Sequence, residues 1–172
     1  MERSHKYQEL NWLKSNGAEN QRGKSGRAAK GARILPVITT ARGGDKRILI
    51  VDDNEGIRCG LLAALSVMGY EAAAVCSGVE ALNVFFRNPF DLVITDLQMP
   101  GMDGWTLASL IKDRFPDTPV VLITGEQKEE VMKDQRRHCI DSALFKPLRM
   151  QELERELKKM LGVESSGMNT PC

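Results

Sequence analysis

Asp96 stands at the end of an apolar, β-branched run, Leu92-Val93-Ile94-Thr95, and a turn-forming stretch with Pro100, Gly101 and Gly104 follows it. A run of that kind fills a strand covered on both faces. Its last residue therefore places a carboxylate at the tip of a buried strand, where open parallel sheets bind their ligands. Three other apolar runs end in polar residues: Arg47 to Val51 in the pair Asp52 and Asp53, Val120 to Ile123 in Thr124 and Gly125, and Ala143 to Phe145 in Lys146 and Pro147. If these runs lie parallel in one sheet, three carboxylates, a hydroxyl and an ammonium converge on one edge. Three close carboxylates repel one another and hold their protons more tightly, unless a hard divalent cation sits among them. Magnesium suits such a site, because it takes oxygen ligands and keeps several waters for a substrate phosphate. A carboxylate can also attack phosphorus to give an aspartyl phosphate. The cation, Lys146 and the Thr124 hydroxyl would then neutralise and hold the phosphoryl oxygens.

The elements between these strand ends alternate strand and helix, the pattern of a parallel sheet with helices on both faces. After the first strand, Ile57, Leu61, Leu62, Leu65 and Met68 recur at helical spacing as far as Gly69. Glu71 to Val75 reads as a short second strand. Ser77 with Glu80 three residues on reads as a capping box, opening a helix whose buried stripe is Val79, Leu82, Phe85 and Phe86. Asp103 is available as N-cap of a helix carrying Trp105, Leu107, Leu110 and Ile111. A fourth helix, Glu126 to about His138, has only Val131, Met132, Gln135 and Cys139 to offer as an inner face, and is expected to be marginal. The last helix begins near Arg149 and turns Met150, Leu153, Leu157, Met160 and Leu161 inward.

Asp52-Asp53, Asp96 within DLQMPGMDG, Thr124-Gly125 and Lys146-Pro147 together resemble the receiver domain of two-component response regulators. The resemblance runs from about Lys46 to Leu161. It implies an α/β fold of the flavodoxin-like, doubly wound kind, a five-stranded parallel sheet (βα)5 in strand order 2-1-3-4-5. It also implies that Asp96 is the phosphoacceptor, and that Asp53, Asp96 and the backbone carbonyl of Gln98 bind Mg2+ with help from Asp52 through water. Thr124 would hydrogen-bond the phosphoryl group, and Lys146 would pair with it, positioned by a cis peptide before Pro147. The implied partner is a sensor histidine kinase or a histidine phosphotransfer protein. Such a domain is a phosphoacceptor that catalyses its own phosphorylation and dephosphorylation, rather than an enzyme with a separate substrate. There is one departure. Receivers carry an aromatic three residues before the lysine, and this chain has Ala143 there; Phe145 is expected to point to the other side of the strand.

Composition bounds the rest. The chain has 172 residues, enough for one domain with a proper core. Residues 1–44 carry nine Lys or Arg against three Asp or Glu, a net of +6, which leaves −5 for the remainder of a chain whose net charge is +1. That segment reads as a basic extension too polar to bury a core of its own. It is a solvated tail, the product of a start codon placed too far upstream, or a nucleic-acid contact through phosphate neutralisation, with the first reading preferred. Residues 45–161 form the domain and 162–172 a flexible tail. Cys59, Cys76, Cys139 and Cys172 form no CxxC pair and no metal-like spacing with His5 or His138, so a reduced, cytoplasmic setting is expected. No stretch approaches the length needed to span a membrane. The competing functions are a phosphorylation-independent binding module and a small hydrolase using the same acids. The hydrolase would need a substrate pocket and a second-step base.

Overall fold

In the computed structural model the described residues are 46–162, apart from Pro89. The expected basic extension and most of the expected C-terminal tail lie outside them. Five strands, β1 (Arg47–Val51), β2 (Glu71–Val75), β3 (Leu92–Asp96), β4 (Val120–Thr124) and β5 (Ser142–Phe145), form one parallel sheet in the order β2-β1-β3-β4-β5. The helices are α1 (Glu55–Val67), α2 (Gly78–Phe85), α3 (Gly104–Arg114), α4 (Lys128–Lys133) and α5 (Met150–Leu161). No described helix is long and apolar enough to cross a membrane.

Alternation along the strands divides the core in two. Ile48, Ile50, Ile94, Val121, Ile123 and Leu144 face α1 and α5, where Leu61, Leu65, Leu153 and Leu157 cover them. Leu49, Val51, Val93, Val120 and Leu122 face the other layer, with Phe85, Trp105, Leu107 and Ile111. All five residues of β3 and of β4 are buried. Replacing one of the fully buried leucines by alanine is expected to cost about 2–5 kcal/mol. At the rim where the strands begin, two aspartates cap neighbouring strands. Asp91 accepts from the Arg47 N–H at 2.8 Å and from Lys46 at 3.1 Å; Asp141 accepts from the Val120 N–H and the Lys112 ammonium, each at 2.7 Å.

Several expectations are corrected. Val79 is exposed and Phe86 only partly buried, because α2 turns Gly78, Ala81 and Phe85 inward. Gly78 is in the stripe because Met102 lies where its side chain would be, 2.8 Å from a Cβ to Sδ. Ser77 does cap α2 through the Glu80 N–H, while the Glu80 carboxylate accepts from the Cys76 N–H at 3.1 Å. Leu110 and Met150 lie on outer faces of their helices. The fourth helix is two pieces: α4 has six residues, and a 3-10 turn, Gln135–Cys139, follows an extended Asp134. Asp134 accepts the Arg136 N–H, and this local bond competes with helix continuation. Val131 and Cys139 point inward as expected; Met132 and Gln135 do not. Phe145 shares a face with Ala143, since residues two apart in a strand point the same way. Both pack against the α2–α3 side of the core, and Leu144 against the other.

Candidate functional site

Asp52, Asp96, Thr124 and Lys146 all sit where β1, β3, β4 and β5 end, and three of them are buried: Asp52, Asp96 and Thr124. Parallel pairing carries each strand to the same rim, so residues from four distant parts of the chain meet without any loop reaching far. Lys146 Nζ lies 2.5 Å from Asp96 Oδ1 and 3.7 Å from Asp52 Oδ2. Asp96 Oδ2 accepts from the Gln98 N–H at 2.9 Å, so the loop leaving β3 folds back onto the carboxylate. Asp52 Oδ1 accepts from the Asn54 N–H at 2.8 Å, and Arg58 donates to the Asp52 carbonyl at 2.8 Å. The Lys146–Pro147 peptide is cis, and the Lys146 N–H donates to the Thr124 carbonyl at 2.7 Å.

Burial pushes the Asp52 carboxyl above its ordinary range. The Asn54 N–H pulls the other way, the negative charge of Asp96 adds to the rise, Lys146 lowers it, and Asp53 adds a little more. Thr124 Oγ1 accepts from the Glu126 N–H at 3.0 Å, leaving the hydroxyl proton free to be directed elsewhere. Asp53 and Gln98 are exposed and line a groove of about 550 Å³ beside the carboxylates. Across its mouth the Gln98 amide donates to Glu126 at 3.0 Å.

Two glycines let this loop run as it does. A Cβ on Gly104 would sit 2.3 Å from the Asp96 carbonyl oxygen and 2.9 Å from Leu122, so α3 can begin against the strand only with glycine there. Gly101 has φ +81°, which a side chain rarely adopts. Asp103 then caps α3 by accepting the Thr106 N–H at 2.7 Å.

The donor set fits a hard cation. The side chains available to it are carboxylates, Asp52 and Asp96 raise each other's cost of charge, and burial of Asp52 already penalises its charged form. Among the described residues no three carboxylate, imidazole or thiol side chains could ligate one ion unaided. Magnesium does not require that, since one or two carboxylates with waters and substrate phosphate are its usual company.

Met99 is buried, and His138 is exposed, with Nδ1 2.9 Å from the Gln135 carbonyl oxygen. Sequence reasoning missed Arg136, whose guanidinium pairs with Asp103 and Asp134 and lies over the Trp105 ring. The spacing Asp134-x-Arg136 was a local signal; the α3 partners were not in view.

Compared with known proteins, residues 48–158 match the family model described as response regulator receiver domain. The chain is 37% identical over 107 residues to the response regulator protein FleR of Pseudomonas aeruginosa, covering 62% of this chain and 23% of that protein. It is 34% identical over 116 residues to the response regulator receiver protein CpdR of Brucella abortus, covering 67% of this chain and 97% of CpdR. Among solved structures, the response regulator TrrA of Thermotoga maritima, determined in complex with Mg2+-BeF, is similar with a TM-score of 0.64 and 36% identity. The match covers 67% of this chain and 99% of TrrA. The chain thus spans less than a quarter of the length of FleR and nearly all of CpdR.

Proposed function

Because the chain belongs to the response regulator receiver domain family, we propose that it accepts a phosphoryl group on Asp96 from the phosphohistidine of a sensor histidine kinase or histidine phosphotransfer protein. The observation that carries this reading is the contact of Lys146 with Asp96 and Asp52 at one strand-end rim. A carboxylate oxygen of Asp96 bonds to phosphorus as the phosphorus–nitrogen bond of the donor breaks, and the imidazole leaves with its electron pair and takes up a proton. Lys146 follows the phosphoryl oxygens, and the Thr124 hydroxyl donates to one of them. Asp52, Asp53, Asp96 and the Gln98 carbonyl would hold Mg2+. That ion would offset the charge of the carboxylates and of the transferring group. The added negative charge then shifts a surface that a partner protein reads, in the cytoplasm.

A second reading, a binding module indifferent to phosphorylation, draws on Ala143. With no aromatic at that position, a groove of about 560 Å³ lies open along β5 and the start of α5.

The test is intact mass after incubation with acetyl phosphate, with and without Mg2+, on the wild type and on Asp96→Asn. A Mg2+-dependent gain of one phosphoryl group that the variant lacks supports the first reading. No gain in folded wild-type protein overturns it in favour of the second.

A further inference from the structure

The segment leaving β4 is fastened to the β3–α3 loop at two points, and both fastenings are polar. Near the carboxylates Gln98 holds Glu126. At the far end Arg136 donates from Nη1 to Asp103 at 3.2 Å and from Nε and Nη2 to Asp134 at 3.1 and 2.9 Å, with its guanidinium 5.6 Å from the centre of the Trp105 ring. Between them α4 buries only Val131, and beyond Arg136 the 3-10 turn adds Cys139. A segment with so few apolar anchors is positioned by such contacts and opens more readily than the core.

Arg136 is also tied to the phosphoacceptor through covalent neighbours of its partners. Asp103, Gly104 and Trp105 are consecutive, and the backbone at Gly104 runs so close to the Asp96 carbonyl that a Cβ there would lie 2.3 Å from its oxygen. Among the described residues lining the groove that starts at Asp53, Arg136 is the cation, opposed by Asp53, Asp103, Glu126 and Asp134. A phosphoryl group replaces the single charge of the Asp96 carboxylate with about −2, next to Leu97 and Gln98 of that groove. It also engages Thr124, whose Oγ1 holds the Glu126 N–H at the root of the segment.

We propose that Arg136 is a latch. It holds the 3-10 turn against α3 while Asp96 is unmodified, and phosphorylation releases it from Asp103 and Trp105 as the guanidinium turns along the groove toward the new anion. The trigger rests on the function proposed above; the latch itself does not.

The experiment uses the full chain carrying Trp12→Phe, which leaves Trp105 as its one tryptophan. Acrylamide quenching of Trp105 is measured with and without acetyl phosphate and Mg2+, and intact mass is read on the same samples. Before phosphorylation, Arg136→Ala is expected to raise the quenching constant about two-fold. Asp103→Asn, which keeps a capping oxygen, is expected to do the same. Phosphorylation is expected to bring the parent to that level and to change Arg136→Ala little. Should Arg136→Ala prove unfolded by circular dichroism, Asp103→Asn carries the comparison. Quenching in the variants equal to that of the parent overturns the latch. Phosphorylated parent with unchanged quenching overturns the release. Mass showing no phosphoryl gain overturns the proposed function and the trigger with it, while the variants still decide the latch.

Discussion

Lys146 meets Asp96 across an intervening strand: β4 lies between β3 and β5, and the ammonium still stands 2.5 Å from Oδ1. The side chain thus reaches past β4, the strand that ends in Thr124. Replacing it with Lys146→Gln removes the charge and keeps much of the length. Intact-mass kinetics with acetyl phosphate and Mg2+ should show phosphoryl uptake slowed at least ten-fold, with the fold preserved by circular dichroism.

Asp52 should make stability depend on Mg2+ and pH together. Burial raises its pKa in the folded state, so the folded protein holds that proton more tightly than the unfolded chain does. Its contribution therefore falls as pH rises from below the ordinary carboxylate range to above the raised value. In metal-free buffer Asp52→Asn should melt higher than wild type at neutral pH, and the difference should shrink in acid. Mg2+ should raise the melting temperature of wild type more than that of the variant; binding at a hundred times Kd adds about 2.7 kcal/mol. Differential scanning calorimetry in both buffers makes the comparison.

Gly104→Ala should be costly for its size. Its Cβ would overlap the Asp96 carbonyl, a backbone atom that cannot turn aside as a side chain can. Urea denaturation should show a loss of about 1–3 kcal/mol. Phosphoryl uptake by the folded fraction should also slow, because the carboxylate moves with its backbone.

Asp103 and Asp134 set an acid response at the 3-10 turn. Burial alone would raise Asp103, but hydrogen bonds from Thr106 and the charge of Arg136 hold it below the ordinary range; hydrogen bonds from Arg136 lower Asp134. Their pairing is intact above ordinary carboxylate values and fails as pH falls through the lowered ones. Trp105 fluorescence in the Trp12→Phe background, followed from pH 7 to acid, should change at a lower pH in the parent than Asp134 titrates in Arg136→Ala.

Ala143→Tyr should be tolerated. Ala143 borders both the core and the open groove beside β5, and a tyrosine ring has room to extend into the groove, so stability should change by less than about 1 kcal/mol, and acetyl phosphate labelling of Asp96 should be unaffected. A loss of labelling would mean that the groove and the carboxylates are coupled.

Much of the site was legible in the sequence because parallel strands bring their ends to one rim whatever the lengths of the connections. Four apolar runs, each ending in Asp, Thr or Lys, were enough to place Asp52, Asp96, Thr124 and Lys146 together. Helix faces were read less well. In α2 the true stripe uses Gly78 and Ala81, small residues that carry little hydrophobic signal and are inward because Met102 and the sheet come close. The break after α4 depends on one side-chain bond from Asp134 to the Arg136 N–H, and the Arg136 contacts depend on α3, some thirty residues earlier. Phe145 was misassigned by parity alone, since the strand rule itself puts it beside Ala143.

The aspartates that cap the first amides of β1 and β4 lie at the rim opposite the carboxylates. Asp91 and Asp141 anchor one selvedge of the sheet, and this frees the other to carry crowded like charges under tension. A survey of substitutions should accordingly sort by latitude: those at the anchored border alter how hard the domain is to melt, and those at the taut border alter how readily it is charged.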